Sequence, residues 1–381
     1  MRKLFILVLA FVAAAAAYAA DYEMSVELES AYNRVYTRQM QPGAPLIPEQ
    51  SVLSQEIELN VTKQLEDVKL NFKGSAALEG SDVSFGSEYA YAVIMQGPFT
   101  TSIGKQRVRW GTGYMWNPSD TLQPLKNALD PEDGIDGTLT ARLEYSWDIF
   151  TPSVIITAGS PDSGFLTEKD MAYAAQLYRL IGTADIFLNA AYRQDYVLSF
   201  GAAVSWDIDL LVLNVEGAAV KYIKNSPGML YIFDPSEEGK FRPAVTAGIS
   251  KRLSDSFFIS AEYYYNGWGL SNASYAEAAS RVSDEAAYAA TILGMGAWPK
   301  ANYAGASLSY TWLDTISLTA SGVYGADDGA FFAYPSVSWQ PSENYGFTVS
   351  YLYNFCDARS AQGIMLNPVR SALECTFNAY F

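Results

Sequence analysis

The chain has 381 residues, with 25 Lys and Arg against 41 Asp and Glu, a formal charge of −16 and no histidine. Charged residues make up 17%, below the ~25% of a soluble globular chain, while aromatics reach 14%, with 27 Tyr, 19 Phe and 8 Trp. These values exclude histidine-based acid–base chemistry and histidine-ligated metals, argue against nucleic acid as a partner, and leave only Cys356 and Cys375, too few for a four-cysteine metal site or a disulfide scaffold.

Arg2 and Lys3 precede an unbroken apolar run from Leu4 to Ala16, and Ala17-Tyr18-Ala19 fits the small-x-small cleavage rule. Residues 1–19 are expected to be a cleaved secretory signal and residues 20–381 the mature domain. No Cys follows the cleavage position, so a lipoprotein is not expected. No later stretch reaches the ~18 apolar residues that a spanning helix needs.

The mature chain alternates with period two. Val68, Leu70, Phe72, Gly74, Ala76 and Leu78 share one face, and Lys69, Asn71, Lys73 and Ser75 the other. The pattern recurs at Leu198 to Trp206, Phe257 to Tyr265 and Tyr345 to Tyr353, as expected of half-buried strands. About eighteen strands are expected, with sixteen as the alternative, in a single all-β antiparallel barrel. Tight turns are expected near 65–67, 97–100, 148–151, 182–185, 207–209, 254–256, 313–315 and 340–344. Longer polar loops fall between them, near 38–50, 79–86, 108–137, 160–170, 193–197, 225–241, 268–301, 325–329 and 357–368. Short turns at one end and long loops at the other are the arrangement of a transmembrane barrel. Trp147, Trp206, Trp312 and Trp339 each precede a short turn. An indole suits the headgroup level, with one edge apolar and its N–H wet, so these four are expected to form a periplasmic-side girdle.

The inward faces of the first two strands carry Glu27, Glu29, Glu56 and Glu58, with Glu88, Glu144, Glu216, Glu262 and Glu374 following elsewhere. Inward bases are fewer: Lys69, Lys73, Arg142, Arg193 and Arg370. Either the lumen is net acidic and favours cations, or the charges pair and cancel.

The densest motif begins Gly104-Lys105-Gln106-Arg107-Val108-Arg109-Trp110-Gly111-Thr112-Gly113. It continues through Trp116-Asn117-Pro118-Ser119-Asp120 to Asp130, Asp133 and the next strand with Arg142 and Glu144. Asn-Pro-Ser-Asp and Asp-Pro are turn formers. Two readings stand. Lys105, Arg107 and Arg109 meet the aspartates and pin the 108–137 loop across a pore, with Tyr114 and Trp116 as stacking surfaces, or the segment is an ordinary outer loop. Parity with Phe99, Thr101 and Ile103 points Lys105, Arg107 and Arg109 outward unless a bulge at Gly104 turns them in. Farther on, the Ala-rich stretch from Ala276 to Leu293 predicts a short helix or a surface loop. Cys356 and Cys375 are expected about 20 Å apart on neighbouring strands, without a bridge.

The last strand alternates to a terminal aromatic, Leu373, Cys375, Phe377, Ala379 and Phe381. It resembles the C-terminal signal of bacterial outer-membrane barrels, read by the insertion machinery, with Phe377 and Phe381 in that role. The Gly-Lys-Gln…Trp-Gly…Asn-Pro-Ser-Asp element resembles one found in a broad group of poorly characterised bacterial outer-membrane barrels, distantly similar to alginate-export and porin-type barrels. The resemblance implies an outer-membrane location and assigns no substrate, and the place of the element as the third long loop is similar to the inward-folded constriction loop of general porins. The expected function is a passive outer-membrane porin for small hydrophilic solutes, narrowed by the 108–137 loop, and cation-preferring where the lumen is net acidic. Its partners would be the lipid bilayer, lipopolysaccharide and the barrel-insertion machinery, with no cofactor and with a homo-oligomer among the possible states. The alternatives are a barrel for export or envelope assembly and an occluded structural anchor. An enzyme is not expected.

Overall fold

The computed structural model describes residues 23–37, 49–80, 82–108, 110–122, 127–130, 137–158, 171–193, 197–209, 211–222, 239–269, 300–327, 329–355 and 369–381. The expected signal at 1–19, the Ala-rich stretch and Cys356 lie outside them.

Eighteen strands follow one another: β1 Glu23–Thr37, β2 Gln50–Leu65, β3 Val68–Glu79, β4 Asp82–Gln96, β5 Phe99–Gln106, β6 Thr138–Tyr145, β7 Thr151–Ala158, β8 Met171–Ile181 and β9 Ala184–Arg193. The second half comprises β10 Val197–Asp207, β11 Val212–Tyr222, β12 Phe241–Ser254, β13 Phe257–Asn266, β14 Asn302–Trp312, β15 Ile316–Gly325, β16 Phe331–Ser342, β17 Tyr345–Asn354 and β18 Val369–Tyr380. Each strand pairs antiparallel with the next, and β1 pairs with β18, so the sheet closes. The number is eighteen, not sixteen. Closure removes the unpaired N–H and C=O rows that hydrocarbon cannot satisfy.

Both predicted sets of connections are present. The eight short turns lie at the end that carries the first residue of β1 and the last of β18, and the longer connections lie at the other end. Gly97 and Gly182 take left-handed φ of 59° and 62° in two-residue turns, a conformation that lacks a steric penalty only without Cβ. One prediction fails. The supposed loop at 79–86 is a two-residue connection, because Gly80 (φ 60°) allows a tight reversal and β4 starts at Asp82.

The outward face is apolar across strands. A single row runs Phe257, Tyr310, Leu318, Val337, Val349, Cys375, Tyr32 and Leu53. Val154, Ile249 and Val349 are about half exposed on it. In water such a surface would cost roughly 25 cal/mol per Å²; against hydrocarbon it costs nothing. The lumen face is the complement. Ser309, Thr319, Ser336, Ser350 and Glu374 form one inward row. No helix among the described residues is long and apolar enough to cross a membrane.

Trp147, Trp206, Trp312 and Trp339 all sit half-exposed at the turn end. At the closure, Phe381 exchanges both backbone hydrogen bonds with Val26, at 2.9 and 3.0 Å. Phe377 packs between Phe347 and Tyr345, its ring centroid 4.9 Å from that of Phe347.

Substituting Val349→Lys in the middle of the outward row should destabilise the bilayer-embedded barrel by about 2–4 kcal/mol. The adjacent inward Thr348→Lys should be tolerated. Equilibrium unfolding from liposomes, followed by tryptophan fluorescence, measures both.

Candidate functional site

Strand β5 stops at Gln106, whose buried side-chain amide donates to Thr140 O at 3.2 Å. Gly104 holds φ 132°, and a Cβ there would lie 2.2 Å from Ala90 O, so only glycine fits this crossing. The chain then folds inside the barrel instead of leaving it. Residues 110–122 and 127–130 pack against the inner wall formed by β7 to β16.

Two carboxylates hold this segment. Glu216 on β11 is fully buried and accepts Thr112 N–H and Ser119 N–H, each at 2.8 Å. Glu262 on β13 accepts the N–H groups of Met115 at 2.9 Å, Trp116 at 3.2 Å and Tyr114. Burying an isolated carboxylate is costly, and convergent backbone donors offset that cost. Gly111 (φ 92°) makes the wrap possible, since a Cβ would meet Glu216 Oε2 at 2.3 Å. Asp120 closes the same bend by accepting Trp110 N–H at 3.3 Å.

Side chains complete the attachment. Asn189 donates to Ser119 Oγ at 3.0 Å, Arg193 to Leu122 O at 2.8 Å, and Thr121 meets Ser199 at 2.8 Å. Val108, Trp110 and Leu122 bury themselves against Ile155, Ala172, Ala174 and Ala191. Met115, Trp116 and Ala128 pack on Tyr303 and Val323, and Trp116 stacks on Tyr264 at 5.5 Å. Gly305 leaves room for Met115, whose sulfur a Cβ would meet at 2.5 Å. Each large apolar side chain buried this way contributes about 1.5–3 kcal/mol.

The remaining arc of the wall is charged. Glu27 lies directly opposite Glu58, and Glu29 opposite Glu56, on neighbouring β1 and β2. Like charges in register destabilise a sheet, and Glu374 on β18 adds to the same patch. Next to it runs a chain of ion pairs: Glu58 to Lys73 at 3.0 Å, Lys73 to Glu88 at 2.6 Å, and Glu88 to Arg107. These groups line a polar cavity of about 270 Å³.

The structure thus distributes the sequence candidates unevenly. Arg107 reaches the lumen because the strand has already ended. Lys105 keeps the outward parity of Ile103 and binds Ser87 O at the loop end. Arg109 and Asp133 lie outside the described residues. Trp110 and Trp116 are buried in packing, and Asp130 is half-buried beside Leu129. Arg142 and Glu144 pair with each other near the turn end of β6. Glu27, Glu29, Glu56 and Glu58 face the lumen together. The holders of the segment are Glu216 and Glu262, which alternation marks only as inward acids. Their partners are backbone N–H groups 97 to 148 residues away, invisible to any side-chain motif.

No family model and no curated protein sequence matches this chain. Solved structures do match along its whole length. They include Pseudomonas aeruginosa OccK2 (OpdF) in complex with glucuronate, with TM-score 0.62, 9% identity, and 95% of this chain and 96% of that one covered. A BenF-like porin from Pseudomonas fluorescens Pf-5 gives 0.60 at 10% identity over 95% and 98%. Acinetobacter baumannii OccAB1 gives 0.59 at 11% over 94% and 96%.

Replacing Glu262 by Gln should loosen the segment. A hydrogen bond to a charged acceptor contributes about 1.5–3 kcal/mol, so amide exchange at Met115 and Trp116 should accelerate about tenfold to a hundredfold. Hydrogen–deuterium exchange with mass spectrometry reads this directly. The chain shares the closed-barrel fold of these solved structures, and among its described residues a segment folds inward onto the inner wall.

Proposed function

We propose that the protein is an outer-membrane porin-type channel for passive diffusion of small hydrophilic solutes, with a preference for cations. The observation that carries this reading is a closed barrel, apolar outside and polar inside, with residues 110–122 and 127–130 of the 108–137 loop packed on one side of its inner wall and the Glu27, Glu29, Glu56, Glu58 and Glu374 carboxylates lining the other. Eighteen strands leave a lumen too wide for wall side chains alone to fill. An arc of unbalanced carboxylates raises the local concentration of cations and repels anions. The similar structures include a BenF-like porin and one in complex with glucuronate.

The rest of the chain fits that role. Residues 1–19 act as the cleaved export signal. The turn end with its four Trp residues faces the periplasm, and the loop end meets lipopolysaccharide. Phe377 and Phe381 are the features that the barrel-insertion machinery reads. The solute moves down its gradient through the gap between the segment and the acidic arc.

The test is single-channel recording of purified, refolded protein in a planar bilayer under a KCl gradient. Stable open steps with a cation-selective reversal potential are expected. Heat-modifiable, correctly folded barrel that yields no steps would overturn the channel reading.

A further inference from the structure

Glu88 is left without a partner in the β3–β4 ladder. β3 and β4 pair so that Lys73 faces Tyr89, but the next pair is Gly74 with Ser87. Glu88 is therefore an extra residue on β4, a β-bulge, and the two consecutive side chains of Glu88 and Tyr89 both reach the lumen cavity. Gly74 supports the irregularity, since a Cβ there would lie 2.6 Å from the Phe72 ring and 3.2 Å from Gly86 O.

This single residue joins three things. Its carboxylate binds Lys73 at 2.6 Å and also binds Arg107, at the start of the inward segment. Its carbonyl accepts Gly137 N–H at 2.8 Å, at the segment's end. It faces the 270 Å³ cavity together with Glu27, Glu58 and Tyr89. Glu58 also reaches Lys73, at 3.0 Å. Glu27, across the strand pair from Glu58, makes no ion pair among the described residues.

We propose that Glu88 sets the charge selectivity of the pore, and that the cavity beside it is a subsite for the ammonium or guanidinium group of a hydrophilic solute. The inference rests on the channel reading. Lys73 and Arg107 are the two bases of this cavity, and both are engaged by Glu88. While that carboxylate is in place, a passing solute meets Glu27 as the cavity carboxylate with no ion pair among the described residues, with Ser25, Asn60 and Tyr89 around it. A solute whose only charge is a carboxylate finds no base to receive it. Take the Glu88 carboxylate away, and two cations stand beside the path with one fewer acid to hold them.

The experiment compares K⁺/Cl⁻ permeability ratios of wild type, Glu88→Gln and Lys73→Met in planar bilayers at about 0.1 M salt, where the screening length is about 10 Å. Glu88→Gln should lower the ratio about fivefold and Lys73→Met should raise it by a similar factor, as expected for one unit charge a few ångströms from the path. Opposite shifts separate a charge effect from a displaced segment, which would move both variants the same way. With ethanolammonium chloride facing potassium glycolate, the wild type should pass ethanolammonium and Glu88→Gln should lose that preference. Wild-type ratios in both variants, or shifts of the same sign, overturn the proposal while leaving the channel intact. A silent wild type overturns the channel reading and this one with it. Heat-modifiability of each variant confirms folding, and Lys73→Met alone still decides the matter if Glu88→Gln does not fold.

Discussion

Everything in this protein follows from the pairing of β1 with β18. A sheet with an apolar face toward lipid has no water to satisfy an open edge, so the strands must close on themselves. Closure at eighteen strands then fixes the second problem. The inner wall is polar, because every outward side chain alternates with an inward one, and the enclosed space is wider than wall side chains can fill. The chain solves that problem on one arc only. It folds the segment after β5 inward against β7 to β16 and leaves the arc around β18, β1 and β2 lined with carboxylates.

The two arcs are built from different residues for a physical reason. Where the segment packs, the wall is small or cut away: Ala172, Ala174, Ala191 and Gly305 give the Trp, Met and Leu side chains their space. The described residues of the segment form no helix or strand, so their backbone N–H groups need acceptors that the sheet cannot supply. Glu216 and Glu262 supply them, two carboxylates for five donors. On the opposite arc, acids face acids across β1 and β2. That arrangement weakens the sheet locally and is tolerable only beside water. Glu88 connects the arcs, holding the segment's first residue through its carboxylate and the segment's last through its carbonyl.

Much of the barrel was readable from local pattern. Alternation gave the strands and placed all eight turns, five of which are two-residue reversals that need residues tolerant of left-handed backbone. The Trp residues marked the turn end since each lies at a strand terminus. The failures have equally local causes. Gly80 was absorbed into a supposed loop at 79–86, although one glycine suffices for a tight reversal. Lys105 and Arg107 share a parity, yet they end on opposite sides of the wall, because the strand stops between them at Gln106. The sequence left two readings of the 108–137 loop open and pointed to neither Glu216 nor Glu262 as the acceptors of its backbone N–H groups.

By itself, the sequence determined what depends on near neighbours: period-two faces, turns, the acidic surplus and the aromatic chain end. Those are properties of consecutive residues and need no knowledge of what lies across the lumen. Only the tertiary structure decided which carboxylates face water and which are buried beneath the segment, because Glu27 and Glu216 look alike along the chain. Glu88 was legible as an inward acid, but the bulge that lets Glu88 and Tyr89 face the lumen together is a mismatch of β3 and β4 register that neither strand shows alone. Long-range register and the path of the inward segment set the environment of each charge, and the environment sets what the charge does.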